Sequence, residues 1–485
     1  MLVLQKKRMF RYKLLIFIAL GLFGACAPTT QMQNVPTRTL PAQYEAVGKD
    51  STNMAQINWR VYFDDALLVS YVDTALRNNL DLLSLLQKIE ATATEIQVAE
   101  GARMPVVTSN VATGMRRFGR YTMDGVGNYD TRFSPNITRN QIIPEHLPEL
   151  FVGIQATWEV DIWKKLKNRK QTAVLRYLSS KEGRNVMVAN LVAHIANYYY
   201  DLLALDFELD AIQKNIVLQE RALAIVLVQK EAGIANELAV KQFQAQTLNF
   251  QTLEFELKQQ IVEIENKMNY LMGRYAQPIA RNKSAFSKAI PAIVQNGLPT
   301  QLLQNRPDIK QAELELQASK IDVSIARADF LPSLHLGASL GLQSFRPERI
   351  FLPASLAYSV LGGLAAPLIN KNAIKARYKF AQARQVESIY QYQKTMLVAY
   401  FEAYNETIRL QNLQKMYDLK GREVETLRLA TESANDLFAT GRANYLEVVF
   451  TQKNALHSQL ELIILRKRQY NAMIDLYKAL GGGWR

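Results

Sequence analysis

Two stretches of the chain alternate strictly between apolar and polar residues, which is the pattern of a β-strand. Along residues 333–343, one face carries Leu, Leu, Ala, Leu and Leu, and the other carries Ser, His, Gly, Ser, Gly and Gln. Residues 150–161 alternate in the same way, and residues 105–118 and 354–366 do so more weakly. Each stretch has about the length of a tilted strand that crosses a bilayer. The pattern predicts four membrane-spanning strands, with half-buried strands of a soluble sheet as the alternative.

Two much longer stretches have helical periodicity. Residues 164–232 and 370–440 contain no proline and one glycine each, Gly183 and Gly421. At 1.5 Å per residue, each predicted helix is roughly 100 Å long. Helices of ordinary globular proteins are far shorter, so this length favours a coiled-coil or tubular assembly.

The chain contains an internal repeat. Residues at n and n + 227 are identical at seven positions between Leu76/Leu303 and Gly114/Gly341, and from Gly233 the offset becomes 208, as at Gly233/Gly441. The change of 19 residues falls best in the polar stretch 115–148, which we expect to be a loop. The repeat predicts two modules, residues 58–290 and 291–485, each with a strand pair between long helices.

The amino-terminal residues have the pattern of an export signal. Five basic residues precede the apolar run 14–22, which is too short to span a bilayer comfortably. Small residues then lead to Cys26, the only cysteine of the chain, which we expect to be diacylated as in lipoproteins. Residues 1–25 would be the signal peptide and 26–57 a lipidated tether. An ordinary signal peptide with an incidental cysteine is the alternative.

Composition gives little sign of chemistry. One cysteine excludes a disulfide framework, and the four histidines have no spacing typical of a metal site. We find no phosphate-binding loop, nucleophile elbow or zinc-protease motif, so we expect neither an enzyme nor a cofactor. The net charge of +14 includes five basic residues of the leader, and the rest mixes with acids along helices. This pattern predicts solvated helix faces rather than nucleic-acid binding.

Four strands cannot close a barrel, and backbone groups in lipid must all be paired. We therefore expect the chain to oligomerise through its strands. Two copies would give eight strands with a filled lumen, and three would give twelve, which can leave a pore.

Several motifs together make the chain resemble the TolC-like outer-membrane efflux proteins. The resemblance is closest to the lipidated outer-membrane factors of resistance-nodulation-division (RND) efflux pumps, and it covers nearly all of the mature chain. The motifs are Trp59-Arg-Val-Tyr-Phe-Asp-Asp-Ala-Leu67, Ala75-Leu-Arg-Asn-Asn-Leu-Asp81, Trp158-Glu-Val-Asp-Ile-Trp163, Leu298-Pro-Thr-Gln-Leu-Leu303, Arg306-Pro-Asp-Ile309 and Leu476-Tyr-Lys-Ala-Leu-Gly-Gly-Gly-Trp484.

The resemblance implies a mainly α fold with a transmembrane β portion, assembled as a homotrimer. A 12-stranded barrel would continue into a 12-helix periplasmic tunnel. It also implies an outer-membrane location, a periplasmic membrane-fusion adaptor and an inner-membrane transporter of the RND or ABC type. The chain would be a passive export duct for drugs or other small molecules. The alternatives are the outer-membrane component of a type I protein secretion system and a periplasmic coiled-coil scaffold or adaptor without a pore.

The resemblance also suggests where the duct closes. The periplasmic end would be formed by turns at Gly233 and Gly441, where glycine can adopt a conformation closed to other residues. Asn236 and Asn444 follow these turns, and this position favours a role as helix N-caps, which can coexist with a role in the gate. Pro105 and Pro332 are expected at the junctions between helix and strand. The gate or adaptor-contact candidates are Asn236, Asp436, Arg442, Asn444 and Tyr445.

Overall fold

The computed structural model describes residues 36, 39–41, 53–287, 297–367 and 372–485. The predicted signal peptide and Cys26, together with most of the tether, lie outside the described residues. Within the described ranges, no helix is both long enough and apolar enough to cross a membrane.

The described residues form ten α-helices and four β-strands in an order that repeats. The helices are α1 (Trp59–Tyr62), α2 (Ala66–Asn78), α3 (Leu80–Gly101), α4 (Met123–Asp130), α5 (Lys165–Glu231), α6 (Glu237–Leu271), α7 (Leu302–Asn305), α8 (Pro307–Ala328), α9 (Asn372–Ala439) and α10 (Tyr445–Ala479). The strands are β1 (Val106–Arg116), β2 (Leu147–Val160), β3 (Ser333–Ser344) and β4 (Leu356–Ala365).

The bounds of these elements reproduce the two offsets of the repeat. Helices α3 and α8 both have 22 residues, and each end of α8 lies 227 positions after the matching end of α3. Helices α6 and α10 both have 35 residues and are offset by 208 at both ends. The long helices α5 and α9 have 67 and 68 residues, as the sequence predicts.

The change of offset lies in the loops that join the strands. The β1–β2 connection, residues 117–146, has 30 residues, and the β3–β4 connection, residues 345–355, has 11, a difference of 19. The expectation that 115–148 is purely a loop is wrong in detail. Strand β1 extends to Arg116, β2 begins at Leu147, and the short helix α4 lies between them. Helix α4 is capped by Thr122, whose hydroxyl accepts the Gly125 N–H at 3.1 Å.

The four strands form one antiparallel sheet in the order β1-β2-β3-β4. The sheet belongs to a compact unit made of residues 92–176, 316–367 and 372–388 of the described chain. Asp161 ends the strand region and begins α5, because its carboxylate accepts the backbone N–H groups of Leu166 at 3.0 Å and Lys167 at 2.7 Å. A carboxylate at this position caps the positive end of the helix.

The second compact unit contains residues 53–91, 177–287, 297–315 and 389–485, with the described part of 36–41. Its core is formed by α2, the middle of α5, the end of α6, α9 and α10. Tyr199 is fully buried there and donates its hydroxyl to Asp65 at 3.0 Å, while Tyr200 stacks on Tyr470 with ring centroids 4.2 Å apart. These tyrosines therefore pack the core of this unit.

The beginning of the second repeat is tied to the carboxyl terminus within this unit. Arg306 pairs with Asp308 at 2.6 Å, and Asp308 lies in the first turn of α8. The same guanidinium donates to the Ala479 carbonyl at 2.8 Å and pairs with Glu402 at 2.8 Å. The Arg306-Pro-Asp motif therefore has a structural role.

Candidate functional site

The sheet has one apolar and one polar face, and the strand register fixes which residues share each face. Leu340 of β3 lies between Ile154 of β2 and Tyr358 of β4, so the apolar positions align across strands. Many of these side chains are exposed in the single chain, including Val111 at 78% and Val360 at 76%. A large exposed apolar surface on a folded chain indicates contact with lipid or with another molecule.

The two outer strands leave the sheet with open edges. Within the part of the chain that the structure describes, strand β1 pairs with β2 alone and β4 pairs with β3 alone. Every residue of β1 is exposed, and all but one residue of β4 are exposed. An open edge presents unpaired N–H and C=O groups and is a template for pairing with another chain.

Charged residues gather where the polar face meets the helices. Glu159 lies opposite His335 in the β2–β3 register. Lys165 pairs with Glu159 at 2.7 Å and approaches Asp329 at 3.8 Å. His335 makes a 2.8 Å hydrogen bond with the Ser333 hydroxyl. This end of the sheet therefore carries a paired, polar set of side chains on the face opposite the apolar surface.

The turns at Gly233 and Gly441 have the conformation expected of them. Their φ values are +75° and +71°, a region that glycine occupies without steric cost. Neither glycine would meet another atom within 4 Å if it carried a Cβ, so the backbone angle is the constraint.

Backbone hydrogen bonds close both tips in the same way. The N–H of Ile234 donates to the Gln229 carbonyl at 2.8 Å, and the N–H of Arg442 donates to the Leu437 carbonyl at 2.8 Å. Such bonds satisfy carbonyl groups that a helix end leaves unpaired. Each position in the second tip is 208 residues after its counterpart, so the two turns are structural copies.

Asn236 and Asn444 are N-caps in the structure. The Asn236 side-chain oxygen accepts the Ala239 N–H at 3.0 Å, and that of Asn444 accepts the Leu446 N–H at 3.2 Å. Both asparagines are exposed, so the capping geometry leaves them open to another molecule.

The remaining gate candidates divide into two kinds. Asp436 and Arg442 have exposed side chains, whereas Tyr445 is half-buried and packs against a small apolar cluster of the first tip. The buried members of that cluster are Val226, Ala239, Val240 and Phe243. The structure therefore brings the two tips together through Tyr445, a contact that sequence reasoning did not predict.

Exposed apolar side chains at the tips were also missed by sequence reasoning. Ile234 and Leu238 are exposed in the first tip, and Leu446 and Phe450 are exposed in the second. The repeat could have revealed them, since 238 and 446 are equivalent leucines. Nearby, Glu237 is held in its charged form, because a hydrogen bond from Lys230 lowers the pKa of its carboxyl.

Pro105 and Pro332 directly precede β1 and β3. Trp158 and Trp163 lie at the same end of the sheet, with indole N–H groups that donate to the carbonyls of Arg103 at 2.9 Å and Pro332 at 2.7 Å. Among the residues that the structure describes, no three His, Cys, Asp or Glu side chains are arranged to hold a metal ion.

Comparison with known proteins agrees with this architecture. The sequence model of the outer membrane efflux protein family matches residues 71–274 and 298–482. The chain is 25% identical over 483 residues to the probable outer membrane lipoprotein SilC of Salmonella typhimurium, covering 98% of this chain and 100% of SilC. It is also 25% identical over 476 residues to the pyoverdine export outer membrane protein OpmQ of Pseudomonas putida, covering 98% of each.

A solved structure has the same fold. The CmeC outer membrane channel of Campylobacter jejuni superposes with a TM-score of 0.79 at 18% identity, covering 94% of this chain and 95% of CmeC.

Proposed function

Since the chain belongs to the outer membrane efflux protein family, it is an outer-membrane efflux channel, and we propose that three copies form its duct. The observation that carries the proposal is the sheet with two open edges and an exposed apolar face. Three sheets of four strands make a closed 12-stranded barrel, which removes every open edge. The strands alternate in direction from β1 to β4, so β4 of one copy runs antiparallel to β1 of the next.

The apolar face would contact lipid and the polar face would line the lumen. This assignment follows the pattern of transmembrane barrels, in which lipid-facing and lumen-facing residues alternate along each strand. A coiled-coil scaffold without a pore has no use for such a face, so the exposed apolar sheet counts against that alternative.

The long helices α5, α6, α9 and α10 of each copy would give the twelve helices of a periplasmic tunnel. At 67 and 68 residues, α5 and α9 are about 100 Å long, enough to extend far into the periplasm. The duct itself performs no chemistry. An inner-membrane transporter would select the small molecules, and they would then pass through the duct.

We place the chain in the outer membrane of a Gram-negative bacterium, anchored by lipid on Cys26. The relatives' names include an outer membrane lipoprotein and an outer membrane export protein. Mass spectrometry of the amino-terminal peptide tests the anchor, with the wild-type chain carrying acyl groups and Cys26→Ser carrying none. An unmodified Cys26 in membrane fractions would refute it.

The tips would dock a periplasmic adaptor. A photoreactive residue at Ile234, which is 77% exposed, should capture the adaptor in intact cells. The same probe at Tyr275, which is 97% exposed but lies beyond the other end of α6, is the matched control. Equal capture at both positions, or capture at neither, would argue against docking at the tips.

The export role is tested by accumulation. Deleting the gene should raise the cellular level of at least one toxic small molecule in a panel of dyes, siderophores and metal salts, and the wild-type gene should restore export. No change across the panel in cells that insert the protein normally would contradict the proposal.

A further inference from the structure

The connection between β1 and β2 is an ordered loop with a cavity of its own. Residues of this connection, 117–146, surround a cavity of about 390 Å³, which is large enough for a small ligand. The Thr131 hydroxyl accepts the Ile143 N–H at 3.1 Å and ties the end of α4 to the chain that leads into β2. From the β3–β4 connection, Arg346 donates to the Asn140 carbonyl at 2.7 Å. Loops of this length are usually functional.

Two arginines and two aromatic rings line this cavity, which we call the loop pocket. They are Arg120, Arg132, Phe118 and Tyr129. The Arg132 guanidinium carbon lies 5.1 Å from the centre of the Tyr129 ring, within the range of a cation–π contact. The loop pocket is therefore a concave surface that combines planar cations with aromatic faces.

The loop pocket carries more positive than negative charge. One carboxylate lines it, that of Glu145, which pairs with Arg117 at 2.6 Å and with Arg120 only at 3.4 Å. The hydrogen bond from Arg117 lowers the pKa of the Glu145 carboxyl, so this acid is charged and already has a cationic partner. The Arg120 side chain is 79% exposed, and Arg132 pairs with no carboxylate of the described chain. The two acids of α4 are exposed outside the pocket lining, so the pocket favours an anion.

The lining residues also indicate the class of anion. A guanidinium binds a phosphate group through paired, charge-assisted hydrogen bonds. An aromatic ring offers an apolar face, against which the C–H face of a sugar can pack. Around the pocket, the same loop exposes the apolar side chains of Tyr121, Met123 and Phe133. Exposed aromatic residues are typical of the interface between membrane and water, so this combination suits a phosphorylated glycolipid.

The position of the loop in the sheet favours the membrane as the source of this ligand. Strand β1 begins after Pro105 and β2 ends before Asp161, so the β1–β2 connection lies at the opposite end of the sheet from these helix junctions. Under the proposed function, that end meets the outer leaflet, whose glycolipid is phosphorylated in Gram-negative bacteria. The β3–β4 connection of a neighbouring copy is a poorer occupant, because its Arg346 and Arg349 outnumber its one acid.

We propose that the loop pocket binds the phosphorylated sugar headgroup of an outer-leaflet glycolipid. This inference rests on the proposed membrane position of the sheet. Arg120 and Arg132 hold the phosphate, and Tyr129 packs against the sugar. The exposed apolar side chains of the loop then contact the lipid beside the headgroup. Bound glycolipid would fix the outer end of the duct in the leaflet that surrounds it.

Titration of the purified full-length protein with lipid A, the phosphorylated glycolipid of lipopolysaccharide, tests the proposal. The wild type should bind lipid A at least about tenfold more tightly than lipid A stripped of its phosphates, because the guanidinium–phosphate bonds are then lost. Arg132→Gln should bind lipid A about tenfold more weakly than the wild type. Arg139→Gln is the matched control, since it changes an exposed arginine of the same loop outside the pocket lining, and it should bind like the wild type.

Two outcomes of this titration would overturn the proposal. One is equal affinity of Arg132→Gln and the wild type for lipid A. The other is competition by inorganic phosphate at the same concentration as lipid A, which would make the pocket a site for soluble anions.

A thiol placed in the pocket reports what covers it. Val126 lines the pocket and is 51% exposed. In Val126→Cys, the new thiol should react with a maleimide in lipid-free trimers and be protected by lipid A, while Cys26 carries lipid on its own thiol in the proposed mature form. A thiol already blocked in lipid-free trimers would show that a neighbouring copy covers the pocket, and this would overturn the proposal. A conducting wild-type trimer that binds no lipid A would refute this inference alone, whereas the absence of a trimer would refute the proposed function.

Discussion

Gly153 of β2 lies directly opposite Gly341 of β3, and the ring of Phe151 covers both glycines from the polar face of the sheet. A Cβ on Gly153 would come 2.4 Å from the Leu340 carbonyl oxygen and 2.6 Å from the Gly341 Cα. The two backbones therefore approach more closely than any other residue pair would allow, and the aromatic ring fills the space that the missing side chains leave.

Gly153→Ala should reduce the amount of folded trimer in the outer membrane, because the clash is with backbone atoms that cannot move aside. The loss should exceed about 1–3 kcal/mol, the usual cost of overpacking. Gly337→Ala is the matched control, since it lies on the same polar face and a Cβ there meets nothing within 4 Å. Heat-resistant trimer on a denaturing gel gives the measurement. Equal yields from both variants would show that the glycine pair is not required.

Asn444→Ala should destabilise the second tip by about 1 kcal/mol, the usual value of a lost N-cap. Asn444→Asp should keep the cap, since aspartate caps as well as asparagine. If the tip also gates the duct, Asn444→Ala should raise single-channel conductance while Asn444→Asp keeps it low. Equal conductance in both would leave Asn444 with the capping role alone.

Tyr445→Ala should open the tips more than Asn444→Ala does, because it removes a contact between the two tips rather than a helix cap. The ring packs against the cluster around Phe243 of the first tip. Tyr445→Phe keeps this packing and should conduct like wild type. Wild-type conductance in Tyr445→Ala would contradict a role for this contact in closure.

Arg281→Met should lower the thermal stability of the second compact unit. Arg281 binds Asp206 through two hydrogen bonds of 2.6 and 2.8 Å and Glu265 through a third of 2.6 Å. Removing the guanidinium leaves two largely buried carboxylates without their partner, which costs about 3–5 kcal/mol. Lys283→Met, at a half-exposed ion pair with Asp210, should cost less than about 1 kcal/mol. Thermal unfolding followed by circular dichroism compares the two.

Glu208→Gln should stabilise the protein at neutral pH and have little effect at pH 4. Burial raises the pKa of the Glu208 carboxyl, and Lys467 lowers it only in part. A carboxyl with a raised pKa binds its proton more tightly in the folded state, so stability falls as pH rises through that pKa. The variant removes this loss. A melting-temperature gain that persists unchanged at pH 4 would assign the effect to packing instead.

Sequence patterns predicted the repeating elements well because each pattern reports a local constraint. Alternation located the strands, and the absence of proline located α5 and α9. The packing of Tyr445 on the apolar cluster of the first tip could not be predicted, because it joins residues far apart in the chain whose types are common everywhere. The pairing of Gly153 with Gly341 depends on the register between β2 and β3. The alternation allows only registers that differ by two residues, and it does not specify which of them forms. Helix α4 was missed because its two glycines are typical of a loop, although the helix is capped.

In the proposed assembly, three copies of this chain close a water-filled duct. Single-channel recording of the purified protein in planar lipid bilayers tests it most directly, with Tyr445→Ala recorded beside the wild type. We expect discrete openings from a trimer, rare in the wild type and larger or more frequent in the variant. A monomer, or an inserted trimer that conducts in neither form, would contradict it.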